Sequence, residues 1–208
     1  MKSQRSKTIG QTGPPAEQTQ SEILIDKAVR LVDTGQLEQA IKLLASSNLN
    51  THAIRNARGV CLMRLGRAAD AVQLYRSLVL MQGCTWMNPE LPVIYRTNFA
   101  TALLLSGRKT GGLEALLEIR EPDHPSVVRL REAFQKWEQD LSWGQWLLWK
   151  FGVDPKSPVT LAFAPGDFAE PPPEPRRTTG KNQPSSLPHE RENSHQEVRF
   201  LSSWPSHH

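Results

Sequence analysis

The chain holds only two cysteines in 208 residues, Cys61 and Cys84. That is too few for a disulfide framework or a four-ligand zinc site, so both read as reduced thiols of a cytoplasmic protein. Long apolar runs are missing too, since none approaches the ~18 residues that a membrane span requires. The opening, MKSQRSKTIGQTGPPAEQTQ, carries some positive charge but no apolar stretch of the kind a signal peptide needs. Aromatic residues make up 7% and hydrophobic residues 38%. This leaves material for one modest core, with ends too poor in apolar residues to pack.

Catalytic signatures are equally scarce. Glycines occur singly, apart from Gly111-Gly112 inside a helical pattern, so no phosphate-cradling loop is present. In HERENSH the second histidine, His195, follows His189 by six residues, whereas a zinc-protease helix needs four to keep both on one face. Cys61 falls within an apolar helical pattern, more than two turns from its nearest candidate base, His52. These gaps argue against an enzyme, a metal site, a cofactor or a small-molecule substrate. The net charge of +4 is spread among acidic residues, which argues against a nucleic-acid partner.

Helical periodicity is what the sequence does have. After Ser21, placed as an N-cap, Leu24, Ala28, Leu31 and Val32 recur at three- and four-residue spacing. Gly35 interrupts, and Leu37, Ala40, Ile41 and Leu44 resume the period. A second pair runs from Ile54 through Val60, Cys61 and Met63 to Gly66, then from Ala68 through Ala71, Val72 and Tyr75 to Val79. The third is expected to open at Asn88-Pro89, a cap followed by proline at the first helical position, and to run through Ile94, Phe99 and Leu103 to Gly107. Its second half carries Leu113, Leu116, Leu117 and Ile119 and stops at Pro122. Each hinge glycine sits where the first helix ends and a left-handed residue is required. Five residues on, a small residue faces another small one across the hairpin: Ala40 with Ala28, Ala71 with Gly59, Gly112 with Ala100. Such pairs let helices approach closely.

This pattern resembles the tetratricopeptide repeat family over residues 21–122. The middle unit matches with Gly59, Leu62, Gly66, Ala71 and Tyr75, the first with Ala28, Leu31, Gly35, Ala40 and Leu44, and the third with Ala100, Leu103, Gly107, Gly112 and Leu116. The repeat is uneven, 31 residues from Ala40 to Ala71 and 41 from Ala71 to Gly112, and the family's fourth-position tryptophan is replaced by Leu24, Arg55 and Arg96. The resemblance implies an all-α fold, a short right-handed helical solenoid of three hairpins, whose concave face binds an extended peptide or a partner helix. Carried over position by position, that face comprises Ile25, Val29 and Val32, then Asn56, Val60, Met63 and Arg64, then Thr97, Asn98, Thr101 and Leu104. Asn56 and Asn98 could pair with a peptide backbone, and Asn56, Arg64 and Asn98 would set its register. Chaperone-binding members grip a C-terminal carboxylate with cations. Here Ile25, Val29, Asn56 and Val60 stand in those places, so that clamp is missing.

Beyond the hairpins, residues 123–153 are expected to cap the array. SVVRLREAFQKWEQDL presents Val127, Leu130, Phe134, Trp137 and Leu141 on one face. Trp143, Trp146, Trp149 and Phe151 surround a short helix that should wedge into the array end, the alternative being attachment of 143–151 to a membrane surface. Residues 154–168 alternate Val159, Leu161 and Phe163 with small residues, as an extended segment does. One hypothesis is that Val159–Phe163 folds back onto the array as an internal ligand. Residues 1–20 and 169–208 are expected to be disordered tails. The second contains Pro172-x-x-Pro175-x-Arg177, a spacing that polyproline-binding grooves read. The sequence thus predicts a non-enzymatic protein-interaction module with an unidentified protein or peptide partner. A small chaperone shielding an apolar client segment is the alternative within the same resemblance.

Overall fold

The computed structural model describes residues 15–170. These form eight helices, and among the described residues there is no strand: α1 (Pro15–Asp33), α2 (Leu37–Ser46), α3 (His52–Arg64), α4 (Ala68–Val79), α5 (Val93–Leu105), α6 (Lys109–Glu118), α7 (Pro125–Gln139) and α8 (Trp143–Lys150). Among the described residues one isolated bridge, Leu80 with Met87, interrupts the helical pattern. None of the described helices is long and apolar enough to cross a membrane.

The three hinges share one hydrogen-bond pattern. Gly35, Gly66 and Gly107 adopt φ of 76°, 76° and 86°, the left-handed region that only glycine enters cheaply. In each hinge the glycine N–H donates to the carbonyl three residues back, and the next N–H donates five residues back, as in Gly35 to Val32 and Gln36 to Leu31. This double bond pair satisfies helix-end carbonyls and reverses the chain. Gly152, at 76°, repeats it after α8 with bonds to Trp149 and Leu148.

Two helix starts differ from expectation. Helix α1 begins at Pro15, inside the stretch read as a disordered tail, and Ser21 is no cap: it lies buried within the helix, its hydroxyl donating to the Glu17 carbonyl and lying 3.2 Å from the Thr51 hydroxyl. Helix α5 begins at Val93, after Pro92, and not at Asn88-Pro89. The bridge between Leu80 and Met87, with the Asn88 N–H donating to Val79, holds that proline in a loop.

Each helix from α1 to α6 packs on its successor, and α1, α3 and α5 also pack on one another in turn. The small-residue seam is present at Gly112, where a Cβ would lie 3.1 Å from the Ala100 carbonyl and the Leu104 nitrogen. At Gly59 the close neighbour is not Ala71 but the Tyr75 ring, 2.5 Å from the place a Cβ would take. Ala28, Ala40, Ala71 and Ala100 are all fully buried, while Leu117, expected in the core, is exposed because α6 turns that face outward.

At the C-terminal end α7 buries Val127, Leu130, Phe134 and Trp137, the face read from its periodicity. Trp149 is the buried residue of helix α8 and meets Trp137 edge-on at 5.1 Å between centroids, while Lys150 pairs with Glu138 of α7 at 3.1 Å. Trp143, Trp146 and Phe151 are exposed. An eight-residue helix offers one contact face, and its last turn is the part that reaches α7. After the Gly152 reversal, Asp154 accepts from the Lys109 and Thr110 N–H groups at the start of α6, which ties the following segment to the third hairpin.

Two expected results follow from this packing. Burial pushes the Cys61 thiol up to about 11 while Cys84 is exposed, so alkylation at pH 8 should modify one thiol in the folded chain and two in urea. Arg96, 3% exposed, bonds both carboxylate oxygens of Glu121 at 3.1 and 2.9 Å. That contact holds the Glu121 carboxyl below its ordinary value of 4.5. A lowered carboxylate stabilises the fold at higher pH and loses that contribution as pH falls below 4.5. Glu121→Gln should therefore reduce stability near neutrality and flatten the acid side of a pH–stability curve.

Candidate functional site

Helix α3 places Val60, Met63 and Arg64 four, seven and eight residues after Asn56, so their side chains share one face. Asn98 of α5 stands beside them, its Nδ2 donating to Asn56 Oδ1 at 2.8 Å. The Tyr75 hydroxyl supports this pair from α4 by donating to Asn56 Oδ1 at 3.0 Å and to the Asn56 carbonyl at 3.1 Å. Full burial raises the Tyr75 phenol well above its ordinary value, which keeps it a donor at any physiological pH.

Across this face lies the chain's own segment 165–170. Asn98 reads both sides of one residue: Asp167 N–H donates to Asn98 Oδ1 at 3.0 Å, and Asn98 Nδ2 donates to the Asp167 carbonyl at 2.8 Å. Asn56 Nδ2 donates to the carbonyls of Asp167 and Phe168 at 3.1 and 3.3 Å. Arg64 donates from Nε to the Pro165 carbonyl at 3.1 Å and from Nη2 to the Gly166 carbonyl at 2.9 Å. Four consecutive carbonyls are thus held by three side chains.

Side-chain contacts add selectivity. The Asp167 carboxylate accepts from Ser126 Oγ at 2.5 Å and from Arg129 Nη2 at 2.7 and 2.9 Å. Gly166 is buried with φ of 75°, and a Cβ there would lie 2.5 Å from Met63 Cε and 3.1 Å from Val60 Cγ2. Arg64 stacks over the Phe168 ring at 4.9 Å, and Arg129 over the Phe163 ring at 4.8 Å. Glu170 accepts from the Ile94 N–H at the start of α5 at 3.4 Å and lies 2.7 Å from His124 Nε2. Val159 and Leu161 pack at the edge of the core.

Of the expected groove residues, Asn56, Val60, Met63, Arg64 and Asn98 come together around this segment. The others do not present themselves as an open surface. Thr97 and Thr101 are buried and their hydroxyls donate to carbonyls of their own helix, Val93 and Thr97. Leu104 is buried in the core and its backbone faces Gly112 of α6, while Val29, Ile25 and Val32 are half-buried on α1. The segment expected as an internal ligand, Val159–Phe163, instead packs beside α7, with Phe163 against Arg129, and the α3–α5 face is taken by the residues after it, which run to Glu170, past the expected tail boundary at residue 169.

Ser126, Arg129 and His124 of the capping region escaped sequence reasoning, as did Gly166 and Asp167. The Pro165-Gly166 dipeptide was the one available signal, because it marks a turn. The histidine pair 189–195 and the proline motif 172–177 lie outside the described residues. Among the described residues no three His, Cys, Asp or Glu side chains are grouped to hold a metal ion. No protein-family model matches this chain, and neither the curated proteins nor the solved structures searched include a match to it.

Proposed function

We propose that the protein is a non-enzymatic interaction module whose α3–α5 face binds an extended peptide. In this reading the helices form a short right-handed tetratricopeptide-like solenoid of three hairpins, α1–α2, α3–α4 and α5–α6, capped by α7 and α8, in a cytoplasmic protein. The observation that carries it is the set of backbone bonds from Asn56, Arg64 and Asn98 to residues 165–168. Side chains that satisfy both the N–H and the carbonyl of one residue hold a peptide irrespective of most of its sequence. The chain's own segment is then the occupant seen, and its place is open to exchange.

The test uses the full chain carrying Gly166→Val and Asp167→Lys, which removes the cis occupant, against a panel of extended peptides. Binding that disappears on adding Asn56→Ala and Arg64→Glu supports the reading. Absence of binding to every peptide contradicts it. Weak binding to many apolar peptides would select the chaperone form, and tight binding to few would select a scaffold. A second reading, membrane-surface attachment, is favoured by one observation, the exposure of Trp143 and Leu148 on α8 and of Phe151 just after it. Liposome flotation that leaves the protein in the soluble fraction would dismiss it.

A further inference from the structure

From the segment that fills the groove, we infer that the external partner presents the sequence Gly-Asp-aromatic followed two residues later by an acid, in a chain that bends at the glycine. This inference rests on the peptide-binding reading. Each position is set by a different element. Glycine is required first, because any Cβ at Gly166 would press on Met63 Cε and Val60 Cγ2 and because φ of 75° strains other residues. A carboxylate is required next, where Ser126 and Arg129 both donate to Asp167. The guanidinium of Arg129 and the short hydroxyl contact select the charged acid over its amide. An aromatic ring follows, under the Arg64 guanidinium. The last acid meets the Ile94 N–H in the first turn of α5 and His124, where the positive end of the helix dipole favours it.

The groove is cationic where the occupant is anionic: Arg64 and Arg129 face the segment that carries Asp167 and Glu170. This complementarity identifies an acidic protein segment, as opposed to a basic or purely apolar one, as the partner. The polar floor supports exchange. Asn56 and Asn98 are buried and their amide nitrogens donate to the segment's carbonyls, and a backbone supplied in trans offers the same acceptors as the one in cis. A tether of this kind presents the cis segment at an effective concentration on the order of 1 mM. A free peptide of ~10 µM affinity would then bind the wild-type groove roughly 100-fold more weakly than an emptied one.

The experiment measures anisotropy of a labelled peptide FAPGDFAE, residues 163–170, with the wild-type full chain and with the full chain carrying Gly166→Val and Asp167→Lys. The expected result is roughly 100-fold tighter binding to the doubly substituted chain, lost when the peptide's glycine becomes valine or its aspartate becomes asparagine. If the substituted chain binds panel peptides with no preference for this sequence, the inference fails while the peptide-binding reading stands. If it binds no peptide at all, both fail. Should the double variant not fold, the isosteric Asp167→Asn carries the test, and no gain in binding over wild type overturns the inference. Concentration-dependent dimerisation of the wild type that Asp167→Asn abolishes would put a second copy's segment in the groove, and would likewise overturn it.

Discussion

Replacing Tyr75 by alanine is expected to lower stability by about 3–5 kcal/mol, the range for truncating a large buried ring, read as a fall in the urea midpoint. Tyr75 is fully buried and fills the space beside Gly59, so its loss leaves a cavity that the close α3–α4 contact cannot collapse. It also donates to Asn56, which anchors the floor of the groove. Tyr75→Phe separates the two roles: it keeps the ring and should cost about 1 kcal/mol, the net worth of one hydrogen bond. Asn56 Oδ1 would still accept from Asn98 in that variant. A cost of Tyr75→Phe equal to that of Tyr75→Ala would show that the hydroxyl, not the ring, supports the site.

The second large effect is expected at Asn98. Leucine shares the branching of asparagine though it is larger, and Asn98→Leu removes the bonds to Asn56 Oδ1, to the Asp167 N–H and to the Asp167 carbonyl. The Asp167 carbonyl retains Asn56 Nδ2, whereas its N–H is left without a partner. Leaving a fully buried donor unpaired costs about 1–3 kcal/mol; this one is part-buried, so the cost lies toward the low end, and it falls on the docked segment before the helices. Limited proteolysis should therefore cut within 157–170 several-fold faster while the α3–α4 hairpin stays resistant. Equal sensitivity of the segment in wild type and variant would show that Asn98 does not hold it.

How far these features could be read in advance depended on whether local chemistry set them. Gly35, Gly66 and Gly107 were legible because a left-handed residue after an apolar helical run leaves few alternatives. The buried stripe of α7 was legible from its spacing. Asn56, Arg64 and Asn98 stood out as polar side chains on faces that the repeat resemblance turns inward. The start of α5 was not legible, because Asn88-Pro89 is a sound helix start locally and is overruled by the bond from Asn88 N–H to Val79. The exposure of Trp143 and Phe151 depended on which turn of α8 meets α7. Ser126 and Arg129 grip Asp167 across about 40 residues of chain, and such pairings leave no periodic trace.

The central claim is that residues 165–170 occupy the groove as a separable ligand. Native-state hydrogen exchange at the Asp167 amide, compared with the amides of α3 and α5, tests it most directly. The Asp167 N–H, bonded to Asn98, is expected to be protected yet to open at a lower free energy than the two helices. Exchange at the unprotected rate, or opening only in step with the helices, would contradict it.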